Sequence, residues 1–160
     1  VHDLFIQETA NHLLVGTHGR SIYLLTLDAV QQLPGVSDKP FVVLAPKPQK
    51  HNKRWGSKAR AWNDAFMPSF HWTFFSQQPS DGVWSLVSDK GVVVFEQAES
   101  LAKGLQELPY SLVMDAVVIK QFNRKHKSDL KPADDGNVYL PKGKYTLLWN
   151  DKQYTQLVLE

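Results

Sequence analysis

The chain has 160 residues, 18 Lys and Arg against 16 Asp and Glu for a net charge of +2, 42% hydrophobic residues and no cysteine. That length and apolar content suffice for a true core, which excludes wholesale disorder, and the missing thiols exclude disulfides and thiolate metal sites. The apolar runs fall far short of the roughly 20 residues a membrane helix needs, so no membrane span is expected.

The chain opens on Val1 with neither an initiator methionine nor a charged-then-apolar leader, which reads as an internal cut in a longer protein. "HDLFIQ" (2–7), "HLLVGT" (12–17) and "SIYLLTL" (21–27) read as three short strands, separated by turn-compatible "ETAN" and "HGR". "DAVQQL" (28–33) reads as one helical turn ended by Pro34-Gly35. Three strands alone leave too much edge and apolar surface to stand as a domain, so residues 1–33 are expected to pack against something else.

Residues 34–63 read as a basic, proline-containing linker. Seven cations (Lys39, Lys47, Lys50, Lys53, Arg54, Lys58, Arg60) lie between positions 39 and 60 with no acid among them. The rest of the chain then carries 11 basic against 16 acidic residues. Lysines interleaved with Trp55 and Trp62 are also the ingredients of a phosphate-tracking, base-stacking surface. The linker is the preferred reading, because prolines and lysines suit an extended connection, and no nucleic acid is expected as a partner.

From about residue 64 to 160, strand patterns return. "SFHWTFFS" (69–76), "GVWSLVS" (82–88) and "GVVVFEQ" (91–97) are followed by "AESLAKGLQEL" (98–108), the one plausible helix, weakened by Gly104. "PYSLVMDAVVI" (109–119), a polar interruption, and a closing hairpin, "GKYTLLW" and "QYTQLVLE" about Asn150-Asp151-Lys152, complete the chain. Short strands with turn signals between them argue an all-β protein whose 64–160 region is a β-sandwich, with Trp84 and Trp149 inside it.

Chemistry-bearing residues are sparse. His18 and Arg20 beside Gly19 invite an anion-binding reading, set against a plain hairpin turn. Asp81, Asp89, Asp134, Asp135 and Asp151 sit in turns, and no pair suits the two-carboxylate chemistry of a glycosidase, so no catalytic residue is assigned. The six histidines lack metal-ligand spacing, and "DLKPADDGN" (129–137) has an acidic-loop flavour without calcium-loop spacing, so neither metal nor cofactor is expected.

Val1, Asp3 and Leu4, then the run Leu14-Val15-Gly16-Thr17-His18-Gly19-Arg20-Ser21-Ile22-Tyr23 and a short exit from Asp28 to Leu33, resemble the closing blade of BNR-repeat, sortilin-like β-propellers, often labelled glycosyl hydrolases. The later region is similar to the flagellar hook-capping type of immunoglobulin-like domain that follows such propellers. Val83 to Phe95 match its hairpin, Gly104, Leu105 and Asp115 its next strand, and Pro141, Gly143, Tyr145 and Thr146 its last hairpin. Met114 stands where that family commonly has tryptophan, and Lys142 is inserted between proline and glycine. The resemblance implies an orphan closing blade (1–33) and an immunoglobulin-like sandwich (64–160). It further implies a non-catalytic accessory module of a secreted or periplasmic propeller protein, partnered by the remaining blades and by a glycan or protein. The alternatives are a piece of a glycoside hydrolase whose active site lies in other blades and, from the basic segment rather than the resemblance, a nucleic-acid binder. His18 and Arg20 are the only ligand-binding candidates it leaves.

Overall fold

The computed structural model describes residues 1–19, 21–60, 62–68 and 70–160. Among the described residues the chain is mostly β, with three antiparallel sheets and no barrel closure, and it divides into two compact units, Val1–Lys39 and Pro40–Glu160.

In the first unit β1 (Asp3–Gln7), β2 (His12–Gly16) and β3 (Ile22–Thr26) form a meander in the order β1-β2-β3. The register sets Leu4, Val15 and Tyr23 side by side, then Phe5, Leu14 and Leu24, then Ile6, Leu13 and Leu25. Side chains alternate across a sheet, so the middle row faces one way and the outer two rows the other. Both faces are therefore apolar, and Leu4, Phe5, Ile6, Tyr23, Leu24 and Leu25 are all exposed. The helical turn α1 (Asp28–Gln32) follows, tied back by Asn11, whose amide donates to Asp28 Oδ1 (2.6 Å) and Gln31 Oε1 (3.0 Å).

The second unit holds two sheets. One has the order β10-β9-β6-β7, from β6 (Ser80–Ser88), β7 (Val93–Leu101), β9 (Gly143–Trp149) and β10 (Lys152–Leu159). The other has the order β4-β5-β8, from β4 (Phe41–Val43), β5 (Phe70–Ser76) and β8 (Gly104–Tyr110). They share one core. Alternate residues Phe70, Trp72 and Phe74 of β5 are buried and meet Trp84, Leu86, Leu147 and Trp149 from the larger sheet. Trp72 lies edge-on to Trp84 at 6.5 Å, and Trp149 sits 5.7 Å from Phe74 and 5.1 Å from Phe41. Trp84 and Trp149 are inside, as their place in strands anticipates. Asn150 and Asp151 join β9 to β10 with φ of 47° and 63°, the paired left-handed conformations of a tight hairpin turn.

Four expectations differ from the structure. Residues 98–108 are not a helix but the end of β7 and most of β8, separated at Gly104, whose φ of 107° lets the chain pass from one sheet to the other. Residues 109–119 leave the strand after Tyr110, because Leu112 adopts φ 57° and only Val113 bridges, to Tyr139. The polar interruption contains α2 (Ile119–His126), which buries Phe122 and ends on left-handed Lys127. Finally, the 34–63 stretch is not a free connection throughout: β4 pairs with β5, and Val43, Leu44 and Trp55 are buried in the second unit.

Candidate functional site

At the turn between β2 and β3, Thr17 and Ser21 close the loop. The Thr17 hydroxyl donates to the Ser21 carbonyl (2.7 Å), and the Ser21 N–H donates to the Thr17 hydroxyl (3.0 Å). Gly19 takes φ 76°, as a hairpin loop needs. His18 is exposed and stacks on His2 with ring centres 5.7 Å apart. Arg20, the other predicted ligand residue, lies outside the described residues.

A second group sits where α2 meets the turn from β6 to β7. Nε2 of His126 lies 3.0 Å from Ser88 Oγ, and Nδ1 lies 3.6 Å from Asp89 Oδ1. The ring stacks on buried Phe122 at 3.9 Å, and the group borders a cavity of about 220 Å³ also lined by Lys142, Lys144 and Tyr145. Burial holds the His126 pKa below the ordinary 6.5; Asp89 opposes that shift, and Lys90 and Lys125 add to it. Serine, histidine and aspartate in this order suggest a nucleophile. The same serine also closes the turn. Ser88 Oγ accepts the Val92 N–H (3.1 Å), Ser88 N–H donates to Val92 O (2.8 Å), and Gly91 N–H donates to Ser88 O (2.9 Å). The cluster works as a latch between helix and hairpin.

The third group is the basic stretch, which is moored rather than loose. Gln49 N–H donates to Val158 O (2.9 Å) and His51 N–H to Glu160 O (2.7 Å), so the chain runs along the end of β10. Trp55 then turns inward, 4.8 Å from the His51 ring and 6.1 Å from Tyr139. Gly56 has φ 74°, and a Cβ there would stand 2.5 Å from Ala133 Cβ and 2.7 Å from Asp135 Oδ1, so only glycine fits. The acidic loop 133–137 completes the mooring. Asp134 Oδ2 accepts the Lys58 N–H (3.2 Å), and the Asp135 N–H donates to Gly56 O (3.2 Å).

Asp135 is held by its own partners: the Tyr139 hydroxyl donates to its Oδ2 (2.7 Å), and Asn137 donates through both N–H and side-chain amide (3.0 Å each). Desolvation pushes this carboxyl upward, but those donors outweigh it and bring the pKa below 3.8. Tyr139 is correspondingly pushed up to about 12, by burial first and by Asp135 second. "DLKPADDGN", read as a bare acidic surface loop, is therefore the anchor of the basic one. Among the described residues no group of three or more His, Asp or Glu is placed to hold a metal ion.

With this loop pinned, Lys50, Lys53, Arg54, Lys58 and Arg60 are exposed. Arg54 lies 5.8 Å over the Phe66 ring and Arg60 lies 5.5 Å over the Trp62 ring. Lys53 and Lys142 both reach His51 electrostatically; burial and then these two cations keep its pKa below 6.5. The sequence located the charge but not the surface, since Trp55, Gly56 and Tyr139 come together only through tertiary packing. Compared with family models, with curated proteins and with solved structures, the chain gives no significant match to any.

Proposed function

We propose that this chain is a non-catalytic accessory module of a secreted or periplasmic BNR-repeat β-propeller protein. Its first unit is a closing blade, and its second is an immunoglobulin-like sandwich that presents the propeller for glycan or protein binding. One observation carries the reading: the β1-β2-β3 sheet is apolar on both faces, with Phe5 and Leu24 exposed on one and Leu4, Ile6, Tyr23 and Leu25 on the other. A surface sheet needs one apolar face, whereas a blade stacked between neighbouring blades needs two. The sequence resemblance of residues 1–33 to a closing blade supports the same reading.

Amide hydrogen exchange tests it. In the 160-residue chain the amides of β1 to β3 are expected to exchange rapidly, because small uncovered sheets open readily. In a longer chain that adds the propeller blades proposed here, the same amides are expected to be strongly protected. Protection in the 160 residues alone, or rapid exchange in the longer chain, sinks the proposal.

A further inference from the structure

We propose that the moored loop from Lys50 to Arg60 is a binding surface for an acidic polysaccharide. Lys50, Lys53, Arg54, Lys58 and Arg60 are exposed, and none of them is ion-paired to a carboxylate among the described residues. A charge run on a solvated linker has no fixed shape. Here the backbone beneath the cations is fixed by buried Trp55, by Gly56 against Ala133 and Asp135, and by the Lys58 N–H on Asp134. A backbone fixed in advance loses less freedom when its cations meet a polyanion, so more of the attraction survives as affinity.

Asp134 and Asp135, which accept from the Lys58 backbone and from Tyr139 and Asn137, keep their negative charge, but five exposed cations against these two carboxylates leave the loop net positive. The two exposed aromatic rings decide between polyanions. Phe66 and Trp62 each carry an arginine over the ring, and Trp55 is buried. Single-stranded nucleic acid is held by successive bases on successive open rings, which this loop does not offer. A chain of sugars bearing sulfate or carboxylate groups needs mainly spaced cations, which Lys50, Lys53, Arg54, Lys58 and Arg60 supply. The surface lies wholly within the second unit, so the inference stands or falls independently of the propeller reading.

Titration calorimetry with the whole chain at two salt concentrations tests it. The probes are a heparin oligosaccharide, an oligogalacturonate, neutral dextran, a thymidine 20-mer and polyglutamate. Binding to one or both acidic oligosaccharides, weakening as salt rises, is expected, and which one binds separates sulfate from carboxylate recognition. Dextran is expected not to bind. The double variant Lys53→Glu, Arg54→Glu is expected to weaken binding by about tenfold, with an unchanged thermal transition. Lys58→Glu with Arg60→Glu serves as a second pair should the first disturb the Arg54 contact with Phe66. Equal binding by both charge-reversed variants, no binding to either acidic oligosaccharide, or tighter binding of the 20-mer or polyglutamate overturns the proposal.

Discussion

Trp149 shows how much one side chain can hold. Its indole contacts Phe41 and Phe74 of the facing sheet, and it lies so close to Gly82 that a Cβ there would stand 2.5 Å from the ring. It is 3% exposed and joins three strands, β4, β5 and β9, that are distant in sequence. Trp149→Ala is expected to destabilise the second unit by about 3–5 kcal/mol, the cost of removing a large buried ring from a core that relaxes only in part. Urea denaturation followed by circular dichroism measures this, and a loss under about 1 kcal/mol, ordinary for surface positions, contradicts the packing described. Gly56 is the complementary case at this scale. Its side is filled by neighbours, so the absence of a side chain is what lets the loop close.

Strand patterns were legible wherever alternation met clear turn chemistry. Phe70 to Ser76 alternates buried with partly or fully exposed residues, and Asn150-Asp151 marks the hairpin between β9 and β10. The element missed outright, α2, has only Ile119 and Phe122 as large apolar residues among six polar ones, too few to register as a helical stripe. The segment misread as a helix, 98–108, contains helix-favouring Ala, Glu and Leu, but its neighbours pair with it from both sheets, and tertiary pairing outweighs propensity. The candidate loop was legible as charge and illegible as shape, because the residues that fix it come from positions 133 to 139 and from the end of β10. His126 makes α2 testable as an element. Its folded pKa lies below 6.5, as does that of His51, so the unfolded chain takes up protons more readily. Their contribution to stability is full above the unfolded value near 6.5 and is lost as pH falls through 6.5 toward the lower folded values. Urea midpoints are therefore expected to drop between pH 8 and pH 5, and His126→Gln is expected to reduce that drop. An identical pH dependence in the variant rules out His126 as a contributor.

For the whole molecule, the division after Lys39 matters more than the composition boundary near residue 64. Removing residues 1–39 is expected to leave the second unit folded, with its thermal transition little changed, since both of its sheets and its core lie beyond that point. Removing residues 1–63 also takes β4, Val43, Leu44 and Trp55, and is expected to lower the transition markedly. Equal transitions for the two truncations, read by calorimetry, contradict the assignment of residues 40–60 to the folded unit.

The placement of the five tryptophans gives the protein a built-in optical division. Trp72, Trp84 and Trp149 lie in the core of the second unit and Trp55 beneath the loop, whereas Trp62 is 78% exposed beside the cations. Buried indoles emit at shorter wavelength and are shielded from dissolved quenchers, while an exposed one emits toward the red and is quenched freely. Anything that settles on the basic loop therefore alters the red, quenchable fraction of the emission, and anything that loosens the core alters the blue fraction. One unlabelled sample thus reports occupancy and integrity through separate colours.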